Sequence, residues 1–135
     1  MARLRAAAVF AVLLTLLTAC GVDCSLAGCF SGVTVELEAF PVPPQPSTAV
    51  TVCVDRHCST EHPGATPLGA ATAMTPTTGA EKVRVSIKIV GPDGSLVASD
   101  ATTVRLHKNQ PNGPSCGPTC YDAVLVLNPQ GRLVA

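Results

Sequence analysis

Cysteine and histidine are the residues of this 135-residue chain whose types and spacing could do chemistry. Cys53, His57, Cys58 and His62 lie close together, and two cysteines with two histidines form a ligand set that structural zinc accepts. Zinc binds the reduced thiolate, whereas an oxidising compartment favours a disulfide between the same two cysteines. The compartment of the protein therefore decides between a metal site and a covalent bridge at this position.

A second close pair, Cys116 and Cys120, encloses Gly-Pro-Thr and is similar to a thioredoxin-type redox motif. That motif has two residues between its cysteines and lies at the start of a helix. Here three residues intervene, and the segment 121–127 that follows has the pattern of a strand. We therefore expect a structural role for this pair.

Hydrolytic catalysis needs a nucleophile, a base and an orienting group at one place. His57, His62 and His107 each fall in a predicted loop or turn, and the chain has no Gly-x-Ser-x-Gly motif. Glu36 and Glu38 share one face of a predicted strand, but their neighbours indicate a solvated face. We expect no enzyme, no cofactor and no metal site, with a small envelope hydrolase as the opposing hypothesis.

The first 19 residues have the order of a secretory signal. Arg3 and Arg5 precede the apolar run 6–14, and Leu17-Thr18-Ala19-Cys20 closes the segment. A membrane-spanning helix needs about 20 apolar residues, and threonines interrupt this stretch. The closing tetrapeptide resembles the lipobox of bacterial lipoproteins, with Thr18 a less common residue at its position. The chain as a whole resembles small cysteine-containing lipoproteins of high-GC Gram-positive bacteria.

The resemblance implies a diacylglyceryl group on the sulfur of Cys20 and cleavage between Ala19 and Cys20. Two acyl chains suffice for stable anchoring, because each buried methylene contributes roughly 0.8 kcal/mol. The implied organisation is a signal peptide at 1–19, a lipid-anchored tether at 20–32 and a folded domain at 33–135. The implied location is the outer face of the bacterial cytoplasmic membrane, with membrane lipid as the partner of acylated Cys20.

The composition of the mature part narrows its class. Without Arg3 and Arg5 it has seven basic and nine acidic side chains, so its formal charge is −2. A near-neutral domain of this kind has no electrostatic footprint for nucleic acid, which we exclude as a partner. Only Phe30, Phe40 and Tyr121 are aromatic, and Gly and Pro are abundant. These features exclude a multidomain enzyme and a helical bundle.

An even number of cysteines in a small exported domain predicts a disulfide framework, here from Cys24, Cys29, Cys53, Cys58, Cys116 and Cys120. A two-residue turn at Asp55-Arg56 would set Cys53 opposite Cys58 across a hairpin. We favour this bridge over a pairing of Cys53 with Cys120 across two sheets. The other four cysteines fit two local bridges or two bridges from the N-terminus to the late loop.

Alternating apolar residues predict seven strands, at 33–40, 49–54, 82–90, 95–99, 102–106, 121–127 and 132–134. The segment 59–80 is predicted to be irregular, with a helical turn at Ala70 to Met74. This pattern favours an all-β fold, an antiparallel β-sandwich of immunoglobulin-like or transthyretin-like topology stapled by disulfides. A small barrel is the alternative.

The loop 107–119 is the best candidate for recognition, because a sandwich holds its loops in place and nearby disulfides reduce the cost of ordering them. Gln110 and Asn112 are its candidate binding residues. We expect a membrane-anchored lipoprotein whose single sandwich is a binding or envelope-interaction module for an unidentified protein or envelope ligand. The alternatives are the envelope hydrolase and a secreted-type inhibitor or structural envelope component.

Overall fold

A computed structural model describes residues 24–42, 45–64, 68–76, 79 and 81–135. The predicted signal peptide and Cys20 lie outside these residues. The described chain forms nine strands: β1 (Gly32–Glu36), β2 (Ala49–Val54), β3 (His57–Glu61), β4 (Ala70–Met74), β5 (Lys82–Val90), β6 (Leu96–Arg105), β7 (His107–Asn109), β8 (Cys120–Leu127) and β9 (Leu133–Val134). Within the same ranges, a search for an apolar helix of membrane-spanning length finds none.

The strands form two sheets that pack face to face. Sheet A has the order β4-β1-β8-β7, and β9 also pairs with β8; sheet B has the order β3-β2-β5-β6. Neighbouring strands are antiparallel in every pair except β1 and β8, which run parallel from Gly32 opposite Asp122 to Glu36 opposite Val126. The predicted all-β sandwich is confirmed, and its sheets are antiparallel apart from this central pair.

Strict alternation along β2 and β5 produces the core on the side of sheet B. Every second residue of these strands is buried, while Lys82, Arg84 and Lys88 of β5 are exposed. The side chains buried most completely are all aliphatic: Leu37, Ile87, Ile89, Leu106, Leu125, Leu127, Val33, Val35, Val50, Val52, Val54 and Val85. Since none of the aromatic residues Phe30, Phe40 and Tyr121 is in this group, the core depends on many small contacts between aliphatic side chains.

The segment Ala70 to Met74 is strand β4, so the predicted helical turn is wrong. Ala71 and Ala73 are buried against β1, where Ala73 lies opposite Val33. Alanine favours helix intrinsically, but tertiary pairing overrides that weak preference in a segment of this length. The predicted irregular segment 59–80 thus contains both most of β3 and all of β4.

Two further strand boundaries differ from the sequence prediction. The predicted strands 95–99 and 102–106 are the single strand β6, because Asp100 and Ala101 continue the pairing with β5. The polar Asp100 interrupts the apolar pattern without interrupting the strand. The first strand ends at Glu36, and the chain then turns with a hydrogen bond from the Phe40 N–H to the Leu37 carbonyl, 3.0 Å long.

Two carboxylates close the two seams between the sheets. On one side Glu61 of β3 accepts a hydrogen bond from the backbone N–H of Thr72 in β4, at 2.9 Å. On the other side Asp100 of β6 accepts one from the N–H of Leu133 in β9, at 2.8 Å. In each case a carboxylate on an edge strand of sheet B accepts a hydrogen bond from a backbone N–H of sheet A. The seams therefore use edge groups that would otherwise be open to pairing with another chain.

The seam at Asp100 predicts a pH-dependent stability. The hydrogen bond from Leu133 lowers the pKa of the Asp100 carboxyl, and Arg132, whose Nε lies 3.4 Å from Oδ2, adds to this effect. The ionised Asp100 carboxylate therefore stabilises the fold. This stabilisation is fully present above the unfolded-state pKa of about 3.9 and is lost as pH falls through the lower folded-state pKa. Urea unfolding should therefore give a stability gap between wild type and Asp100→Asn that is largest at neutral pH and smallest near pH 2. Arg132→Gln, which removes the smallest contribution, should change the pH profile less. A gap independent of pH would contradict this account.

Thr48 predicts a stabilising substitution. Its side chain is fully buried, and its hydroxyl has no hydrogen-bond partner among the described residues. Its backbone is satisfied, since its N–H donates to Gln45 and its carbonyl bonds Nδ1 of His62 at 2.9 Å. Thr48→Val removes an unpaired polar group and should raise the free energy of unfolding by about 1 kcal/mol in urea titration. Thr48→Ser keeps the hydroxyl, loses a methyl group and should lower it by about 1 kcal/mol. A destabilised valine variant would refute the unpaired state.

Candidate functional site: the tether junction

The N-terminal segment 24–31 is fastened to the loop 110–119 and to the start of β8, and we call this region the tether junction. Disulfides join Cys24 to Cys116 and Cys29 to Cys120, with Cα–Cα distances of 5.7 and 6.0 Å that are ordinary for such bridges. Of the two arrangements that the sequence leaves open for these four cysteines, the structure has the bridges from the N-terminus to the late loop. Cys120 is therefore not the partner of Cys53.

Asn112 fills the space between the two segments of the junction. Its Nδ2 donates hydrogen bonds to the carbonyls of Ala27, at 2.9 Å, and Gly117, at 2.7 Å. The hydroxyl of Ser25 donates to its Oδ1. The following Gly113 has a φ of +84°, a conformation that glycine adopts without steric cost. The side-chain amide of Asn112 therefore holds the N-terminal segment 24–31 to the loop 110–119.

Gln110, the other candidate binding residue, also has a partner inside the loop. Its Nε2 donates to the hydroxyl of Thr119 at 3.0 Å. The outward surface of the loop comes instead from Pro111, Pro114 and Ser115, which are exposed. The structure thus gives Gln110 and Asn112 internal contacts that the sequence did not reveal, and their role in ligand binding stays a prediction.

Ser31 marks the point where the tether becomes strand β1. Its hydroxyl accepts a hydrogen bond from the N–H of Tyr121 in β8, and its carbonyl accepts one from the N–H of Thr75 after β4, both at 3.1 Å. The next residue, Gly32, leaves no room for a side chain, because a Cβ there would lie 2.3 Å from the Ala73 carbonyl oxygen. The close approach of Gly32 to β4 and the hydrogen bond from Tyr121 of β8 to Ser31 place the start of β1 between these two strands.

The third disulfide closes the turn between β2 and β3. Cys53 lies opposite Cys58 with a Cα–Cα distance of 4.0 Å, as the Asp55-Arg56 turn predicts. Asp55 adopts a φ of +52° and exchanges two hydrogen bonds with the backbone of Arg84 in β5. Both sulfurs are consumed in this bridge, so the zinc ligand set considered from the sequence lacks its thiolates.

The three histidines occupy separate places. His57 starts β3 beside the Asp55 turn, and His62 follows the other end of that strand, where it bonds the Thr48 carbonyl. Five residues of extended chain separate these two by about 16 Å. His107 starts β7 in the other sheet. The fold therefore does not bring the histidines together around one reacting atom.

An apolar cleft of about 490 Å³ lies at the end of the sandwich opposite the tether junction. Its lining combines the turn after β1 with the segment before β4: Leu37, Glu38, Phe40, Pro41, Val42, Leu68 and Gly69. A hydrogen bond of 2.8 Å from the Leu37 N–H to the Gly69 carbonyl joins the two segments. Sequence reasoning missed this cleft, because its two halves are about 30 residues apart and carry no common motif.

The fold and the tether junction define the class of protein, a small β-sandwich with three disulfides. No protein-family model, curated protein or solved structure matches the chain. The tether junction and the N-terminal motif are therefore the basis of the functional proposal that follows.

The two long bridges predict a non-additive loss of stability. Each alone closes a loop of about 90 residues, worth roughly 4.7 kcal/mol on the chain-entropy model, but with one in place the other closes only a short ring worth about 3 kcal/mol. Urea unfolding should show losses of about 3 kcal/mol for Cys24→Ala/Cys116→Ala and for Cys29→Ala/Cys120→Ala. The quadruple variant should lose more than the sum of the two. Cys53→Ala/Cys58→Ala, which opens a loop of about six residues, is the matched control with a loss of about 2 kcal/mol. Strict additivity would contradict the shared constraint.

Proposed function

We propose that the chain is a lipid-anchored extracytoplasmic lipoprotein whose β-sandwich serves as a binding or envelope-interaction module on the outer face of the bacterial cytoplasmic membrane. The lipid is carried by Cys20 after cleavage behind Ala19. The observation that carries the proposal is the tether junction, in which two disulfides fasten the chain directly after the lipobox to the body of the domain.

The oxidation state of the cysteines supports a location outside the cytoplasm. All six cysteines of the described chain are paired in disulfides. Disulfides persist in oxidising compartments and are rare where glutathione and thioredoxin keep thiols reduced. The sequence has one further cysteine, Cys20, which is the residue that the lipobox resemblance assigns to the thioether-linked lipid.

The junction also suits a domain that is held by its N-terminus. A force applied at Cys20 enters the domain at Cys24 and Cys29, and the disulfides transmit it to Cys116 and Cys120. It therefore reaches β8, in the middle of sheet A, without peeling β1 away from its neighbours. A hydrogen-bonded strand alone would open residue by residue under the same pull, because each ladder bond contributes only about 1 kcal/mol.

The sandwich supports interaction better than catalysis. Its two sheets hold loops rigidly at both ends, and loops positioned by such a scaffold are the usual sites of recognition. The described polar residues form no cluster of three or more metal-ligating side chains. The histidines are dispersed, while the apolar cleft is the kind of surface that contacts a partner.

A Cys20→Ser variant tests the lipoprotein proposal. Metabolic labelling with a fatty acid followed by detergent phase partitioning should show label and detergent-phase recovery for the wild type, and neither for the variant. The variant should still form its three disulfides, since none of them involves Cys20. Cys53→Ala/Cys58→Ala is the matched control, because it removes sulfur elsewhere and should keep both the label and the detergent-phase behaviour. A Cys20→Ser protein that remains labelled and in the detergent phase would refute the proposal.

A further inference from the structure

We infer that the end of the sandwich at the tether junction rests on anionic phospholipid headgroups, held there by its basic side chains. The inference rests on the proposed lipid at Cys20. It adds an orientation to the anchored domain and assigns the lipid surface as a binding partner of the protein itself, beyond the acyl chains.

Strand pairing gathers basic residues at this end, which we call the tether end. The parallel strands β1 and β8 both begin there, and β4 ends there at Met74, opposite Gly32. In sheet B the same end holds the β2–β3 turn and the pair Lys82 and Arg105. The two sheets meet at this level, because one surface cleft is lined by Asp55 and Arg56 of the β2–β3 turn and by Thr75 and Pro76 after β4.

The charges of the described residues separate along the strands. The tether end carries five of the seven basic side chains, with a formal charge of +2 after three acids are counted: Arg56, Lys82, Arg84, Arg105 and Lys108 against Asp55, Glu81 and Asp122. Asp23, next to Cys24 in the sequence and outside the described residues, adds one negative charge to the tether. The remainder has two basic and five acidic side chains, a formal charge of −3: Lys88 and Arg132 against Glu36, Glu38, Glu61, Asp93 and Asp100.

Two of the three acids at the tether end accept hydrogen bonds from uncharged N–H groups. Asp55 accepts the backbone N–H of Arg84 at 2.9 Å, and Asp122 accepts the side-chain amide of Asn109 at 3.0 Å. The lysines Lys82 and Lys108 are exposed. The positive charges of Lys82 and Lys108 are therefore open to an external anionic surface.

The short tether holds this end close to the membrane. From Cys20 to Cys24 the chain can span at most about 14 Å, and Cys24 is bonded to the domain at Cys116. This distance is less than two Debye lengths at physiological ionic strength, where one is about 8 Å. An anionic leaflet attracts basic residues within that range and repels the acidic opposite end, so attraction and repulsion favour the same orientation.

The three lysines of the chain provide the test, because Lys82 and Lys108 lie at the tether end whereas Lys88 lies toward the other end of β5. The full lipidated protein is placed in vesicles of neutral phosphatidylcholine or of phosphatidylcholine with about 30% phosphatidylglycerol. A membrane-impermeant amine-acylating reagent is added, and labelling is read by mass spectrometry. The acylation rates of Lys82 and Lys108 are each divided by that of Lys88. In anionic vesicles both ratios should be lower than in neutral vesicles by about threefold or more. Salt at about 0.5 M should remove the difference.

Matched variants identify the charges responsible. Lys82→Glu should weaken the protection of Lys108 in anionic vesicles, whereas Lys88→Glu should leave it unchanged. Equal labelling ratios in the two vesicle types, for protein that floats with the vesicles, would overturn the orientation while leaving the lipid anchor intact. Protein that carries no lipid and does not float would overturn the anchor, and the orientation with it.

Discussion

The parallel pairing of β1 with β8 is the constraint on which the rest of the structure depends. Parallel neighbours must enter a sheet from the same end, so the chain before β1 and the loop before β8 meet there. That meeting places Cys24 and Cys29 within bonding distance of Cys116 and Cys120 although about 90 residues separate them. Closing such a loop is costly in entropy for an open chain, and the two disulfides remove that cost from folding once they form.

The rest of the molecule compensates for a core without large aromatic side chains. Valine, isoleucine, leucine and alanine bury less area per residue than phenylalanine or tryptophan, so the two sheets gain less from contact alone. Glu61 and Asp100 add directional hydrogen bonds at the two seams between the sheets. Both acids also protect the sheet edges, and these polar contacts maintain the sandwich as a closed unit.

The sequence predicted those strands, turns and bridges that residues close together in the chain determine. Strands β2 and β5 alternate strictly, and the Asp55-Arg56 turn lies between cysteines at the right spacing, so the Cys53 to Cys58 bridge was predictable. Strand β4 was not, because alanine and methionine, which supply four of its five residues, favour helix until β1 lies alongside. The role of Asn112 was also hidden, since its partners Ser25 and Ala27 are far away in the sequence. Pairing over such distances depends on topology, which local patterns do not encode.

The position of the loop 110–119 links two hypotheses: that this loop recognises a ligand, and that the tether end lies on lipid headgroups. The sequence predicts the longer segment 107–119 as the recognition loop; residues 107–109 form β7, and the remainder lies at the tether end. If that end lies on lipid headgroups, a large envelope partner cannot reach the exposed Pro111 and Pro114 without displacing the domain from the membrane. A partner that binds the anchored domain would then meet the opposite end, which holds the apolar cleft, the β5–β6 turn at Asp93 and the β8–β9 turn at Asn128. Contact with lipid and recognition through the loop therefore compete for one surface.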